Sequence, residues 1–174
     1  MHLYSPLGKI KKYNTIEEIM RDYYDIRIKL YEDRKEYQLK LLKHQLSIIS
    51  NKLRFILMVV NDKLIVNKKK KSELEFELQS HNFPLLGRTI NDTNTSYDYL
   101  LSMPIYNLTL EKIEELQKQE DKNTAEYNTL LKLSSDTMWL NELLELKEKY
   151  NDWISKKIIE SHPSQTSSKK KKGK

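Results

Sequence analysis

The sequence predicts a mainly α protein: a long antiparallel two-helix coiled-coil arm with a small, mostly helical knob at its tip, a third amphipathic helix and a basic tail. Three observations lead there. No glycine or proline interrupts the chain between Ile16 and Phe83. Within that stretch Ile16, Ile19, Tyr23, Ile26, Leu30, Tyr37, Leu41, Ile48 and Ile56 recur largely at alternating threes and fours, the spacing of a helical seam. Finally, 38% of the residues are hydrophobic, 32% are charged and only three are glycine, which suits exposed helices better than one compact core.

The elements follow in order. Residues 1–14 form a strand-like lead-in around Leu7-Gly8-Lys9-Ile10. Thr15 and Glu18 make a capping box, in which Thr15 accepts from the Glu18 N–H and the Glu18 carboxylate returns to the Thr15 N–H. The first long helix spans 15–60, about 68 Å at 1.5 Å per residue. Arg34 and His44 interrupt its seam, and their side chains are expected to lie along it with polar tips in water.

The knob spans 61–108. It opens with the turn Asn61-Asp62-Lys63 and the extended link Leu64-Ile65-Val66. The run Lys68 to Lys71 precedes the short helix Ser72 to His81 as a solvated segment, because four positive charges oppose the dipole at a helix start. Residues 84–96 have the composition of a flexible loop. Tyr99-Leu100-Leu101-Ser102-Met103 is an apolar turn that Pro104 ends, since proline lacks an N–H and fixes φ. Thr109 caps the return helix, 109–133, whose seam is Ile113, Leu116, Glu120, Asn123, Tyr127 and Leu130. Ser134-Ser135-Asp136 supplies another cap. The third helix, 136–160, carries Trp139, Leu140, Leu143, Leu146, Tyr150, Trp153 and Ile154. Residues 161–174 are too polar to bury a core and are expected to be disordered.

The net charge of +6 is concentrated. Lys169, Lys170, Lys171, Lys172 and Lys174 supply five of the six charges, leaving residues 1–168 nearly neutral. A dedicated DNA-gripping face is therefore not expected in the body, and nonspecific DNA contact or targeting falls to those five tail lysines. The chain has no cysteine, no apolar run of membrane-spanning length and no signal-peptide core near Met1, so an intracellular location without membrane contact is expected. Asn-x-Ser/Thr matches at Asn91, Asn94 and Asn107 are chance matches in an Asn-rich chain.

The residues offer little chemistry. His2, His44, His81 and His162 are isolated from one another and from any Asp-x-Asp spacing, so no metal site is expected. No glycine pattern can cradle a phosphate. The tyrosines sit at helical seam spacings or in the apolar turn, where packing explains them. Asp22 and Asp25 are expected to form a solvated, salt-bridged face with Arg21, Arg27 and Lys29. No catalytic, cofactor-binding or metal-ligating residue is assigned.

Three segments in order carry a family resemblance. GKIKKYNTIEEIMRDYYDIRIKLYEDRKEY (Gly8 to Tyr37), NKLRFI (Asn51 to Ile56) and YDYLLSMPIYNLT (Tyr97 to Thr109) resemble parts of the type IIA DNA topoisomerases of eukaryotes and large DNA viruses. By that resemblance the first runs from a short strand into the long coiled-coil helix, the second is that helix's far end, and the third leads into the return helix of the C-terminal exit gate. The similarity extends over about Met1 to Trp153. It implies an arm whose knob dimerises with its twin about a two-fold axis and closes the last gate through which double-stranded DNA transiently passes. The whole enzyme then uses ATP and Mg2+ supplied elsewhere, and partners are a second copy, the rest of the topoisomerase and DNA, in the nucleus or at a viral replication site. Knob and dimer candidates are Leu64, Ile65, Leu74, Phe76, Leu100, Leu101, Met103 and Ile105, with Leu85 and Leu86 as weaker members. Helix periodicity alone serves equally well for a second class, a non-enzymatic coiled-coil scaffolding or adaptor protein with a basic tail.

Overall fold

The computed structural model describes residues 1–104, 107 and 109–161, with side chains to 157. Ile105 and the tail lysines 169–172 and 174 lie outside the described residues. The chain is mainly α. Its elements are β1 (His2–Tyr4), β2 (Ile10–Lys12), α1 (Ile16–Val60), α2 (Lys71–Ser80), α3 (Asp98–Leu101), α4 (Leu110–Lys132) and α5 (Ser135–Ser161). They divide into two units, Met1–Tyr31 with Ser134–Lys174, and Glu32–Leu133, with α1 contributing to both.

In the first unit, β1 and β2 pair antiparallel with Leu3 opposite Lys11. The strands flank Leu7-Gly8-Lys9-Ile10 rather than running through it, and only Ile10 of the four belongs to a strand. Gly8 has φ +72°, a left-handed conformation open to glycine, and turns the chain instead. The hairpin is closed by the Tyr13 N–H donating to the Met1 carbonyl at 2.8 Å.

Helix α1 starts at the Thr15 cap, where the Glu18 N–H donates to Thr15 Oγ1 at 3.4 Å. The Glu18 carboxylate returns one residue earlier than expected, accepting from the Asn14 N–H at 3.0 Å. At its far end the Lys63 N–H reaches Met58 O, the Asp62 N–H reaches Val59 O, and Asp62 takes φ 54°. That is a Schellman termination with aspartate in the left-handed position.

In the second unit, α1 and α4 run antiparallel. Leu53, Ile56 and Leu116 form one buried cluster with Ile49, Met103 and Ile113 against it. At the other end of α4, Lys35 Nζ donates to the Leu133 carbonyl at 2.6 Å. The seam of α4 coincides with its covered residues: Ile113, Leu116, Glu120, Asn123, Tyr127 and Leu130 are all at least half-buried. On α1 the seam read from spacing is covered at Ile19, Leu41, Ile48 and Ile56, whereas Ile16, Tyr23, Ile26, Leu30 and Tyr37 are exposed. Lys35, Gln38, Leu42, Ile49 and Leu53 are covered as well. The long side chain of Lys35 reaches the carbonyls that end α4, a covered position that apolarity alone does not reveal.

Hydroxyl caps start α4 and α5. Thr109 Oγ1 accepts from the Lys112 N–H at 3.3 Å, and Ser134 Oγ accepts from the Thr137 N–H at 3.1 Å. Each satisfies one of the N–H groups a helix start leaves open.

Candidate functional site

The candidate site is the knob of the second unit, built on α2, α3 and the end of α1. Its core is Phe55, Leu64, Leu78, Phe83, Tyr97 and Leu100, with Met58, Val59, Val66, Tyr99, Leu101 and Met103 packed against it. Leu78 and Leu100 are almost completely buried. Of the candidates named from sequence, Leu64, Leu74 and Leu100 are therefore interior, and Leu101 and Met103 line its edge. Ile65 and Phe76 are not part of that core. They are 60% and 73% exposed, and Leu85 is exposed too.

The local sequence explains this layout. Leu74 and Leu78 are four apart on α2 and share the inward face, while Phe76 lies about 200° round from Leu74 at 100° per residue. Helix α2 ends in another Schellman motif: Asn82 adopts φ 55°, its N–H donates to Gln79 O, and the Phe83 N–H donates to Leu78 O. The motif drops Phe83 onto Leu78 inside the core. Arg54 completes the end, donating to the carbonyls of His81 and Asn82 at 3.1 Å each, with its guanidinium 3.8 Å from the Phe83 ring centre.

The segment after Phe83 is more firmly tied than its composition suggested. Leu86 and Ser96 form an antiparallel bridge, and Asp92 accepts from the backbone N–H groups of Arg88 and Asn94. Gly87 is required there, since a Cβ would sit 2.7 Å from the Asp92 Cβ. Tyr97 and Tyr99 fasten the start of the segment by donating to the carbonyls of Phe83 and Pro84. Burial pushes the Tyr99 hydroxyl up to about 12, so it remains a donor. Helix α3 then ends at Leu101, three residues before Pro104.

The lysine run lies mostly outside the helix. Lys68 has φ 63° and α2 begins at Lys71. The run is not simply solvated: Lys69 pairs with Glu77, and Lys71 donates to Asp98 Oδ1 at 3.1 Å. The Lys71 hydrogen bond, followed by that of Ser96, lowers the Asp98 carboxyl below its ordinary value.

In the first unit, Asp22 takes partners from the hairpin rather than from Arg21, Arg27 or Lys29. Lys11 Nζ and Tyr13 Oη both donate to its Oδ2 at 2.8 Å. These bonds, Lys11 first, lower the Asp22 pKa. Tyr24 and Tyr31 stack with Trp139 and donate to Asp136 and Glu142 respectively. The carboxylate partners raise both phenols. Sequence spacing gave no sign of these tyrosine–carboxylate pairs, whose members are more than a hundred residues apart. Leu140, Leu143, Leu146, Tyr150 and Trp153 remain exposed on α5, where Met138 is the buried hydrophobic residue among those described. His44 also departs from expectation: its Nε2 is covered, with no hydrogen-bond partner among the described residues.

Among the described residues no cluster of His, Asp or Glu could hold a metal ion, and no helix is long and apolar enough to cross a membrane. The described side chains of the knob pack and pair with one another.

Comparison with known proteins agrees with this architecture. The family model for the A-type subunits of DNA gyrase/topoisomerase IV matches residues 1–145. DNA topoisomerase 2 of Penicillium chrysogenum is 35% identical over 168 residues, which cover 83% of this chain and 10% of that protein. The mimivirus DNA topoisomerase 2 is 36% identical over 174 residues, covering 90% of this chain and 14% of that protein. The chain thus spans only a small part of these relatives' length. The crystal structure of the Plasmodium falciparum topoisomerase II DNA-binding, cleavage and re-ligation domain superposes with a TM-score of 0.74 at 34% identity, over 95% of this chain and 25% of that one. An antiparallel helical seam, a proline-ended apolar turn and a family match over most of the sequence lead to one conclusion: this chain belongs to the DNA gyrase/topoisomerase IV family of A-type subunits and is of the topoisomerase II type found in eukaryotes and large DNA viruses.

Proposed function

We propose that this chain is the exit-gate and dimerisation portion of an ATP-dependent type IIA DNA topoisomerase. It supports double-strand passage while the cleavage and ATPase chemistry, with its Mg2+ and ATP, resides elsewhere in the enzyme. Its partners in this reading are a second copy, the rest of the topoisomerase and the duplex passing the gate, in the nucleus or at a viral replication site.

The observation that carries the proposal is the knob. An antiparallel helix pair ends in a separate apolar cluster, and that cluster leaves large apolar side chains such as Phe76 and Ile65 uncovered. A helical arm used only as a spacer has no need of a folded, partly uncovered apolar tip, whereas an interface needs a hydrophobic patch. A passing duplex is better served by a neutral body than by a basic one, because a phosphate-gripping face would slow its release. The near-neutral charge of residues 1–168 supports that part of the reading.

The test is incubation of the purified chain with supercoiled plasmid, Mg2+ and ATP, alongside determination of its mass in solution. Unchanged plasmid together with a dimeric mass supports the proposal. A covalent DNA adduct overturns the division of labour, and a strict monomer favours the scaffolding alternative.

A further inference from the structure

We infer that the second unit carries a small anion site, a pocket that takes one phosphoryl group between Lys52 of α1 and Arg88 of the segment after Phe83. The two side chains line a cavity of about 470 Å3, shared with Gly87, Asp92, Asn94 and Asp98. That volume lies within the range of pockets that hold small molecules.

The hydrogen bonds around the cavity decide the charge of its ligand. Every carboxylate and hydroxyl in the wall is already engaged. Asp92 accepts the backbone N–H groups of Arg88 and Asn94, one on each oxygen, and Asp98 accepts from Lys71. Ser96 Oγ accepts from the Asp98 N–H, Ser102 Oγ donates to the Asp98 carbonyl, and Tyr99 Oη donates to that of Pro84. The donors are in the opposite state. Neither the Lys52 ammonium nor the Arg88 guanidinium makes a hydrogen bond or ion pair among the described residues, and the Asn94 carboxamide makes none either. Gly87 is buried in the same wall, and its N–H has no acceptor among the described residues, although buried backbone N–H groups are almost always paired. What is unspent is therefore mainly donor and carries two positive charges. An acceptor-only, anionic group answers that demand, and a cation or an apolar molecule does not. Arg88 can hold two phosphoryl oxygens through its planar fork while Lys52 supplies a point charge, so side-chain cations bind the group without a glycine-rich loop. One such pair is compatible with a body that is nearly neutral, because it takes a single phosphoryl group and does not grip a duplex along its length. The group belongs either to a small free phosphate compound or to one phosphodiester of DNA.

The test is titration of the full chain with pyrophosphate, and separately with a short DNA duplex, while backbone amide shifts are followed by NMR. Saturating shifts at Gly87, Arg88 and Asn94 are expected, a readout to which anions held by the tail lysines do not contribute. Lys52→Gln and Arg88→Gln are each expected to weaken that saturation by about tenfold or more, with an unchanged helical circular-dichroism spectrum. Lys118→Gln, at an exposed lysine of α4 outside the pocket, is expected to leave it unaltered. Shifts with pyrophosphate identify a free phosphate compound as the source, and shifts with the duplex alone identify the DNA backbone. No shift at these amides with either ligand, shifts that survive both pocket variants, or an equal loss in Lys118→Gln overturns the inference. The mass of the chain in solution has no bearing on this result, so its failure leaves the gate reading standing.

Discussion

At the scale of single residues, the knob depends on a few nearly inaccessible side chains. Leu100 is 1% exposed and packs among Phe55, Leu78 and Phe83. Leu100→Ala is expected to cost about 2–5 kcal/mol, the sum of lost transfer energy and residual cavity, read from the urea midpoint. A loss below about 1 kcal/mol would mean the cluster can collapse around the gap. Asp22 offers a second measurement. Its folded pKa lies below the ordinary value, so its contribution is complete above the unfolded pKa and disappears as pH falls through the folded one. Protection of the hairpin amides from hydrogen exchange is therefore expected to decline below about pH 4 and to lose that acid dependence in Asp22→Asn. An unaltered acid dependence in the variant would assign the effect to another carboxylate.

At the scale of elements, caps and seams were legible to different degrees. Thr15, Thr109 and Ser134 could be read as helix starts because a hydroxyl before an apolar-periodic run acts locally and needs no tertiary partner. Thr109→Ala is expected to destabilise α4 by about 1 kcal/mol, visible as a lower thermal midpoint. The two Schellman ends were readable in principle, since Asp62 and Asn82 are residue types that tolerate the left-handed region. The α1 face was readable from apolar spacing at Leu41, Ile48 and Ile56, but not at Lys35. Lys35 covers α4 with its stem while its ammonium reaches the carbonyls of Leu131 and Leu133, contacts that a hydropathy pattern reports as solvent. The tyrosine–carboxylate pairs with α5 and the two-residue bridge at Leu86 and Ser96 depend on chain segments meeting in space, which periodicity does not encode. The poor coverage of α5 also has a consequence. Amides of α5 beyond Glu142 are expected to exchange faster than those of α1 between Leu46 and Ile56, because few apolar contacts oppose local opening. Equal protection would show that the α5 face is covered in solution.

At the scale of the whole molecule, charge and association separate the two functional readings. Five of the six net charges reside at Lys169, Lys170, Lys171, Lys172 and Lys174. Removing residues 169–174 is expected to abolish most low-salt DNA retention while the helical signal is unchanged, since phosphate attraction scales with the cations engaged. Retention that survives the truncation would place DNA contact on the body. The central claim, that the chain is a self-associating gate element, is tested most directly by light scattering after size exclusion at micromolar concentration. The result expected is twice the 20.9 kDa chain mass; a clean monomer that persists at high concentration would contradict it.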